Sequence, residues 1–150
     1  MTQFTAHQDF EPAVLADIED TADLQPALNQ ARQHARFSQL MIIRQALLAR
    51  QQRGRFFSSK LFADPAWDML LELYAASLTE RRMCVSRVAE RSGVALTTGL
   101  RWIKVLEEEG LIDRENDRFD QRRMYLSLSK KGRIGMNAYF EELHPDTKVF

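Results

Sequence analysis

The spacing of apolar residues in the first half of the chain predicts two helices. Residues 23–52 are rich in Ala, Leu, Gln and Arg and contain no Gly and one Pro, a composition that favours one long helix. Its segments 40–43 and 46–49 are apolar on nearly all sides, so more than one neighbouring surface must cover them. Asp64 and Pro65 are typical of a helix start. A core-facing stripe then follows at helical spacing, formed by Trp67, Leu70, Leu71, Tyr74 and Leu78.

The middle of the chain predicts two shorter helices joined by a tight turn. A short helix fits residues 86–92, with Ser86 as its N-cap, and Gly93 fits the turn that follows. The next helix is predicted over about 96–109 and ends at Gly110, since glycine is common just after a helix. Two helices with this connection are typical of a helix-turn-helix motif.

Beyond Gly110 the period changes from helical to alternating. Residues 111–112 form a short apolar run, 115–121 form a charged turn, and apolar and polar positions alternate over 124–128. These features predict a β-hairpin, followed by a last helix that begins after Ser129. The order of helix, short helix, turn, helix and hairpin is that of a winged helix-turn-helix.

The expected fold is therefore mainly α, with a small β-hairpin wing and a long N-terminal helix. We expect four segments along the chain. They are an acidic flexible arm over 1–22, a long basic helix and connection over 23–60, a winged helix-turn-helix domain over 61–133, and a short C-terminal helix and tail over 134–150.

Composition narrows the class of protein. No run of the 150 residues approaches the ~18 consecutive apolar residues of a membrane span, and the N-terminus lacks the pattern of a secretory signal, so we expect a cytoplasmic protein. Cys84 is the only cysteine, which excludes an intramolecular disulfide and favours a small buried residue over a redox sensor. His7, His34 and His144 are too scattered for a zinc site, and no Gly-rich phosphate loop or nucleophile elbow is present. We expect no enzyme activity, cofactor or metal.

The net charge of zero conceals alternating acidic and basic blocks. Residues 1–24 carry six acids and no Lys or Arg, whereas 25–60 carry seven bases and no acid. Residues 61–80 are acidic again, and 81–133 hold thirteen bases and eight acids. A polyanion would meet the two basic segments rather than the average charge, and nucleic acid is such a partner.

The helix over 96–109 has the two faces of a DNA-reading helix. At about 100° per residue, Gly99, Trp102, Ile103 and Leu106 share one side and are expected to be buried. The other side carries Thr97, Arg101 and Lys104, with Thr98 at its edge. These side chains can bond base edges and phosphates in a major groove. The wing over 114–123 adds Arg114, Arg118, Arg122 and Arg123, with Asp120 placed to orient one of them, and an Arg-tipped loop can enter a minor groove.

Residues 85–133 resemble the DNA-binding core of the MarR family of winged-helix bacterial transcription regulators, and 61–74 more loosely resemble the preceding helix. The matching features are Val88-Ala89 before Gly93-Val94, Thr97-Thr98 opening the recognition helix, residues 106–112 closing it, Asp120-Gln121-Arg122-Arg123 in the wing, and 128–133 after it. The resemblance implies that Thr97, Thr98, Arg101 and Lys104 meet the major groove and Arg122 or Arg123 the minor groove. It also implies a homodimer that binds double-stranded DNA and often releases it on binding a small molecule.

The chain departs from the family pattern at two places. Ala95 stands where the family often has a capping serine, so we expect Thr97 to cap the recognition helix instead. We expect no counterpart of the family's two long C-terminal dimerisation helices after Gly132, so the helix over 23–52 is expected to carry the dimer and the family's effector pocket is not expected to transfer. Two alternatives stay open: a winged helix that binds a protein partner, and a sensor whose small ligand lies near Phe56, Phe57 and Phe62.

Overall fold

The computed structural model describes residues 21–58 and 61–143 as a mainly helical chain with one antiparallel sheet. The elements are α1 (Thr21–Arg53), α2 (Pro65–Leu78), β1 (Met83–Cys84), α3 (Val85–Arg91), α4 (Leu96–Glu108), β2 (Ile112–Asn116), β3 (Met124–Leu128) and α5 (Lys130–Glu142). This confirms the expected fold class and the long N-terminal helix. Most of the predicted acidic arm lies outside the described residues. None of the helices described is long and apolar enough to cross a membrane.

The chain divides after Ala35 into two compact units. In the first unit, the side chains of α1 from Leu24 onward are exposed. The second unit, from Arg36, contains the rest of α1 and all the other elements. Within it α1 buries Ile43, Ala46 and Leu47 in the common core, so only one of its apolar sides is covered.

Helix α2 forms the centre of the core. Its predicted start is confirmed, because the Asp64 side chain accepts a hydrogen bond from the Trp67 amide at 3.4 Å and Pro65 occupies the first turn. Arg50 of α1 forms ion pairs with Asp64 and Asp68, which ties the end of α1 to the start of α2. From α2 the core takes Met69, Leu71, Leu73, Tyr74, Ala75 and Ala76.

The three strands pair in the order β1-β3-β2, so β3 is central. Ile112 faces Leu128 at one end of the hairpin, and Met83 of β1 faces Leu126. The predicted alternation in β3 is observed: Leu126 and Leu128 are buried, whereas Ser127 is exposed. Strand β1 has only two residues, too few to produce a period in the sequence, and was not predicted.

Helix α3 begins at Val85, and its cap position lies two residues before the predicted N-cap. Cys84 occupies the cap position with extended backbone and forms no capping hydrogen bond, whereas Ser86, the predicted N-cap, lies inside the helix. The pairing of Cys84 with Tyr125 holds the backbone extended up to Cys84, so the helix starts immediately after β1. Gly93 has a φ of 69° and forms the turn before α4, as predicted.

Helices α3 and α4 approach closely at Gly99. A Cβ at this position would lie 2.5 Å from the Cβ of Ala89. Gly99→Ala is therefore expected to lower the free energy of unfolding by about 2 kcal/mol through overpacking, although alanine favours the helix. The exchange Gly99→Ala with Ala89→Gly keeps one methyl group in the gap and is expected to restore nearly all of the stability. Urea denaturation measures both, and equal midpoints for wild type and Gly99→Ala would contradict the close approach.

Helix α5 closes the core from the C-terminal side. The predicted cap is confirmed: the Ser129 hydroxyl accepts from the Gly132 amide at 3.0 Å and donates to the Gly110 carbonyl at 2.6 Å. Met136 and Phe140 are buried in the core. The Tyr74 hydroxyl donates to the Asn137 side chain at 2.6 Å, and burial raises the pKa of Tyr74 to about 12, so α2 and α5 are joined by a neutral hydrogen bond.

Candidate nucleic-acid interface

Helix α4 presents the predicted polar side chains to solvent. Thr97, Thr98, Arg101 and Lys104 are all exposed. Gly99, Ile103 and Leu106 are buried on the opposite side, as the periodicity predicts. The prediction was wrong for Trp102, which is 37% exposed because it lies at the edge of the buried face rather than at its centre.

The start of α4 has no side-chain cap. Ala95 occupies the cap position and has no acceptor, and no side chain replaces it, so the expected capping role of Thr97 is wrong. The Thr97 hydroxyl therefore forms no capping hydrogen bond at the start of α4.

The two cations of α4 differ in their partners. The Nζ of Lys104 lies 3.7 Å from the Oε1 of Glu108. Because both side chains are exposed, this ion pair contributes little to the free energy of folding. No carboxylate in the part of the chain that the structure describes forms an ion pair with Arg101. The Arg101 guanidinium is available to an external acceptor.

The loop over 117–123, which joins β2 and β3, is held by the carboxylates of Asp117 and Asp120. Asp117 Oδ1 accepts from the amides of Phe119 at 2.8 Å and Asp120 at 3.2 Å, and the hydrogen bond from Phe119 lowers the pKa of Asp117. Asp120 Oδ1 accepts from the Arg122 amide at 3.0 Å. Asp120 Oδ2 lies 3.6 Å from the Arg123 Nε, so Asp120 does orient an arginine, as predicted.

Three of the wing arginines lie in this loop, and the fourth does not. Arg118 and Arg122 are exposed and form no ion pair with a carboxylate among residues 21–58 and 61–143. Arg114 lies within β2, where its Nη2 is 2.5 Å from the Oε2 of Glu107 on α4. Grouping Arg114 with the basic tip was therefore wrong, because this ion pair ties it to the end of α4.

A groove of about 630 Å³ separates α4 from the wing. Leu96 and Leu100 line it from α4, and Arg122 and Arg123 line it from the wing. Thr97, Arg101 and Lys104 do not line this groove but are exposed on the adjoining side of α4.

Two residues at the hairpin carried no sequence signal strong enough to predict them. Arg82 lies just before β1, with its guanidinium 4.1 Å from the centre of the Tyr125 ring and its Nη2 3.1 Å from Glu115. It was missed because its neighbours come from distant parts of the sequence. Phe119 is 99% exposed at the tip of the wing. Its one signal is a large apolar residue within an otherwise charged turn.

Cys84 lines the same groove and is half-buried. The Ser86 hydroxyl, 3.4 Å from its Sγ, lowers the pKa of the Cys84 thiol. No cluster of three His, Cys, Asp or Glu side chains suitable for a metal ion occurs among the described residues. His34 is exposed, and His7 and His144 lie outside the described part of the chain.

Of the three phenylalanines suggested for a ligand site, Phe57 and Phe62 pack edge to face, with their ring centroids 5.7 Å apart. Phe56 and Phe57 are exposed. Phe62 borders a separate cavity of about 590 Å³, together with Arg50 and Arg53. The Arg53 guanidinium lies 5.6 Å from the centre of the Phe62 ring.

No protein-family model matches the sequence, and no curated protein is significantly similar to it. The chain is similar to several solved structures. The crystal structure of an S. aureus MepR–DNA complex is 23% identical, with 52% of this chain and 61% of that chain covered and a TM-score of 0.48. S. aureus MepR in a DNA-binding conformation is 18% identical over 80% of this chain and 74% of that one, with a TM-score of 0.48. NadR in complex with 4-hydroxyphenylacetate is 20% identical over 95% and 78%, with a TM-score of 0.48.

These structures are of MarR-family regulators, the family that the sequence resembles. The chain spans less than two thirds of the MepR chain in the DNA complex. The assignment of a winged helix-turn-helix rests on the chain's own topology: three helices, α2 to α4, and an antiparallel sheet whose two longer strands form the wing.

Proposed function

We propose that the chain is a DNA-binding transcription regulator that recognises specific sequences in double-stranded DNA. The recognition helix (about 96–109) would lie in the major groove and the wing (114–123) in the adjacent minor groove. One observation carries the proposal. Helix α4 and the wing border one groove, and Arg101 on α4 and Arg118 and Arg122 on the wing are exposed and have no ion pair with a described carboxylate.

We assign recognition of the DNA base sequence to the exposed side chains of α4. An arginine can bond the O6 and N7 of guanine bidentately, and Arg101 has no competing carboxylate within the described residues. The hydroxyls of Thr97 and Thr98 can bond base edges, and their methyl groups can contact the thymine methyl. Lys104, whose pairing with Glu108 is long and exposed, is assigned to a phosphate.

Arg118, Arg122 and Arg123 on the wing are assigned to the minor groove. Narrow, A·T-rich minor grooves have a strong negative potential that attracts arginine. Asp120 fixes the backbone at Arg122 and pairs with Arg123, so the loop is ordered before it meets DNA. Order in the free state reduces the entropy lost on binding.

The proposed functional unit is a homodimer formed through α1. Phe37, Met41 and Leu48 lie within about 40° of one another around the helix, and the centre of this stripe is about 140° from Ile43 and about 100° from Leu47. All three are exposed. The chain's own core leaves this apolar stripe exposed. It can pack against the same stripe on a second copy, because a two-fold interface places identical surfaces together. Two recognition helices would then enter successive major grooves, ~34 Å apart.

Met41→Glu is expected to convert the dimer into a monomer. The substitution places a carboxylate in the stripe, where removing it from water at the interface is costly even with Arg44 one turn away. Ser38→Glu is the matched control, since it adds the same charge to an exposed position about 60° from Met41 around α1 and outside the stripe. Light scattering measures the mass of both variants. A dimer that survives Met41→Glu, or a wild-type monomer at micromolar concentration, contradicts dimerisation through this stripe.

Selection of bound duplexes from a random-sequence library tests the proposed function. A dimer is expected to enrich two inverted half-sites whose centres are about 10 base pairs apart. Enrichment of a single half-site contradicts the dimeric arrangement. Binding without any enrichment contradicts sequence recognition, and absence of binding favours the alternative that the winged helix contacts a protein.

A further inference from the structure

The tip of the wing carries a phenylalanine that contributes nothing to the core. Phe119 is 99% exposed, so its ring packs against no other part of the described chain. Arg118 precedes it and Arg122 follows three residues later, both exposed. The ring is therefore flanked in the sequence by two exposed cations that can contact phosphates, while the neighbouring carboxylates of Asp117 and Asp120 accept amides of the loop.

The backbone on both sides of Phe119 is fixed. Its amide donates to the Asp117 side chain at 2.8 Å, and the Asp120 amide donates to the same oxygen at 3.2 Å. The loop is closed by two further bonds, from the Asp117 amide to the Arg123 carbonyl at 3.0 Å and from the Arg123 amide to the Asp120 carbonyl at 2.9 Å. The ring therefore projects from an ordered turn rather than from a random loop.

We propose that Phe119 is an apolar wedge that enters between two base pairs in the minor groove and partly unstacks them. The inference rests on the proposed function and adds to it a residue that deforms the DNA. Proteins that bend DNA from the minor groove insert large apolar side chains between base steps, while adjacent cations hold the phosphates. The tip combines both elements: a fully exposed ring on a fixed turn and unpaired guanidiniums on either side.

The wedge has a consequence for the DNA sequence and shape. Unstacking is easiest at pyrimidine–purine steps such as TA, so one such step is expected where each wing contacts the duplex. Insertion of a side chain bends the duplex by about 20–90°. Phe119 would thus select sequences through deformability, without a hydrogen bond to any base.

The test uses the full chain and a duplex enriched in the selection described above. One version carries a fluorophore pair at its ends to report bending, and a second carries 2-aminopurine in place of adenine at the TA step, whose fluorescence rises on unstacking. Wild type is expected to raise both signals. Phe119→Ala is expected to bind about 10-fold more weakly, as for the loss of one stacked base, and to abolish both signals. Phe119→Leu keeps an apolar wedge and is expected to retain the bend.

Phe56→Ala is the matched control, because Phe56 is also an exposed phenylalanine, at 79%, but lies in the connection after α1. It is expected to match wild type in affinity and bend. Wild type that binds the duplex without bending or unstacking it overturns the wedge and leaves the proposed function intact. So does Phe119→Ala with wild-type signals. Absence of binding by wild type to any duplex overturns the proposed function, and the wedge with it.

Discussion

Gly132→Ala is expected to lower the free energy of unfolding by about 3 kcal/mol. A Cβ at this position would lie 2.1 Å from the Leu111 carbonyl oxygen, far inside contact distance. That carbonyl accepts from the Ser129 amide at 3.0 Å, so it cannot move away without losing the bond that places the cap of α5. The clash is with backbone rather than with a flexible side chain, and α5 would have to shift from the core.

Gly135→Ala provides the control in the same helix. Nothing lies within 4 Å of a Cβ at position 135, and alanine favours a helix interior by about 1 kcal/mol over glycine. Gly135→Ala is therefore expected to stabilise the protein, opposite in sign to Gly132→Ala only three residues earlier. Urea denaturation followed by circular dichroism measures both. Effects of the same sign for the two variants would show that α5 does not pack as described.

Arg101→Ala is expected to weaken binding to the selected duplex by about 10- to 100-fold, the value of a good bidentate contact to a base. Adding Arg122→Ala should weaken it further, because the two residues are assigned to different grooves and their effects should be nearly additive. Fluorescence anisotropy measures the affinities. Arg133→Ala is the control, since it removes an exposed arginine from α5 rather than from the groove surface.

Arg101→Lys distinguishes a hydrogen-bonded contact to a base from a contact that needs only a positive charge. Lysine keeps the cation but lacks the planar fork of arginine, so binding to random DNA should persist while the preference for the selected sequence falls. Equal loss on both duplexes would mean that Arg101 contacts phosphate only. Unchanged affinity of Arg101→Ala for the selected duplex, in a folded protein, would contradict the assignment of α4 as the recognition helix.

The sequence predicted the elements whose signals are local. Asp64, Pro65 and Ser129 act on backbone groups within three residues, and their caps were confirmed. The buried side of α4 followed from its helical period, with Gly99 and Ile103 inward. Strand β1 could not be predicted, because it has two residues and exists through pairing with β3, about forty residues later.

In the candidate site, too, the sequence could predict the features that depend on local contacts but not those that depend on distant ones. Exposure of Thr97, Arg101 and Lys104 follows from the period of one helix, so the sequence could predict it. The ion pair of Arg114 with Glu107 depends on how the hairpin folds back on α4, which no local pattern contains. The groove between α4 and the wing likewise appears only when both elements are placed.

Anisotropy of a labelled random-sequence duplex, titrated with the protein at several salt concentrations, tests the central claim most directly. A surface that releases counterions from several phosphates is expected to bind with a Kd of about 10⁻⁴–10⁻⁶ M near physiological salt. The affinity should fall steeply and linearly on a logarithmic scale as salt rises from about 50 to 200 mM. Binding with this slope is the predicted result. Absence of binding at low salt, or an affinity independent of salt, would contradict the account of α4 and the wing as a DNA-binding surface.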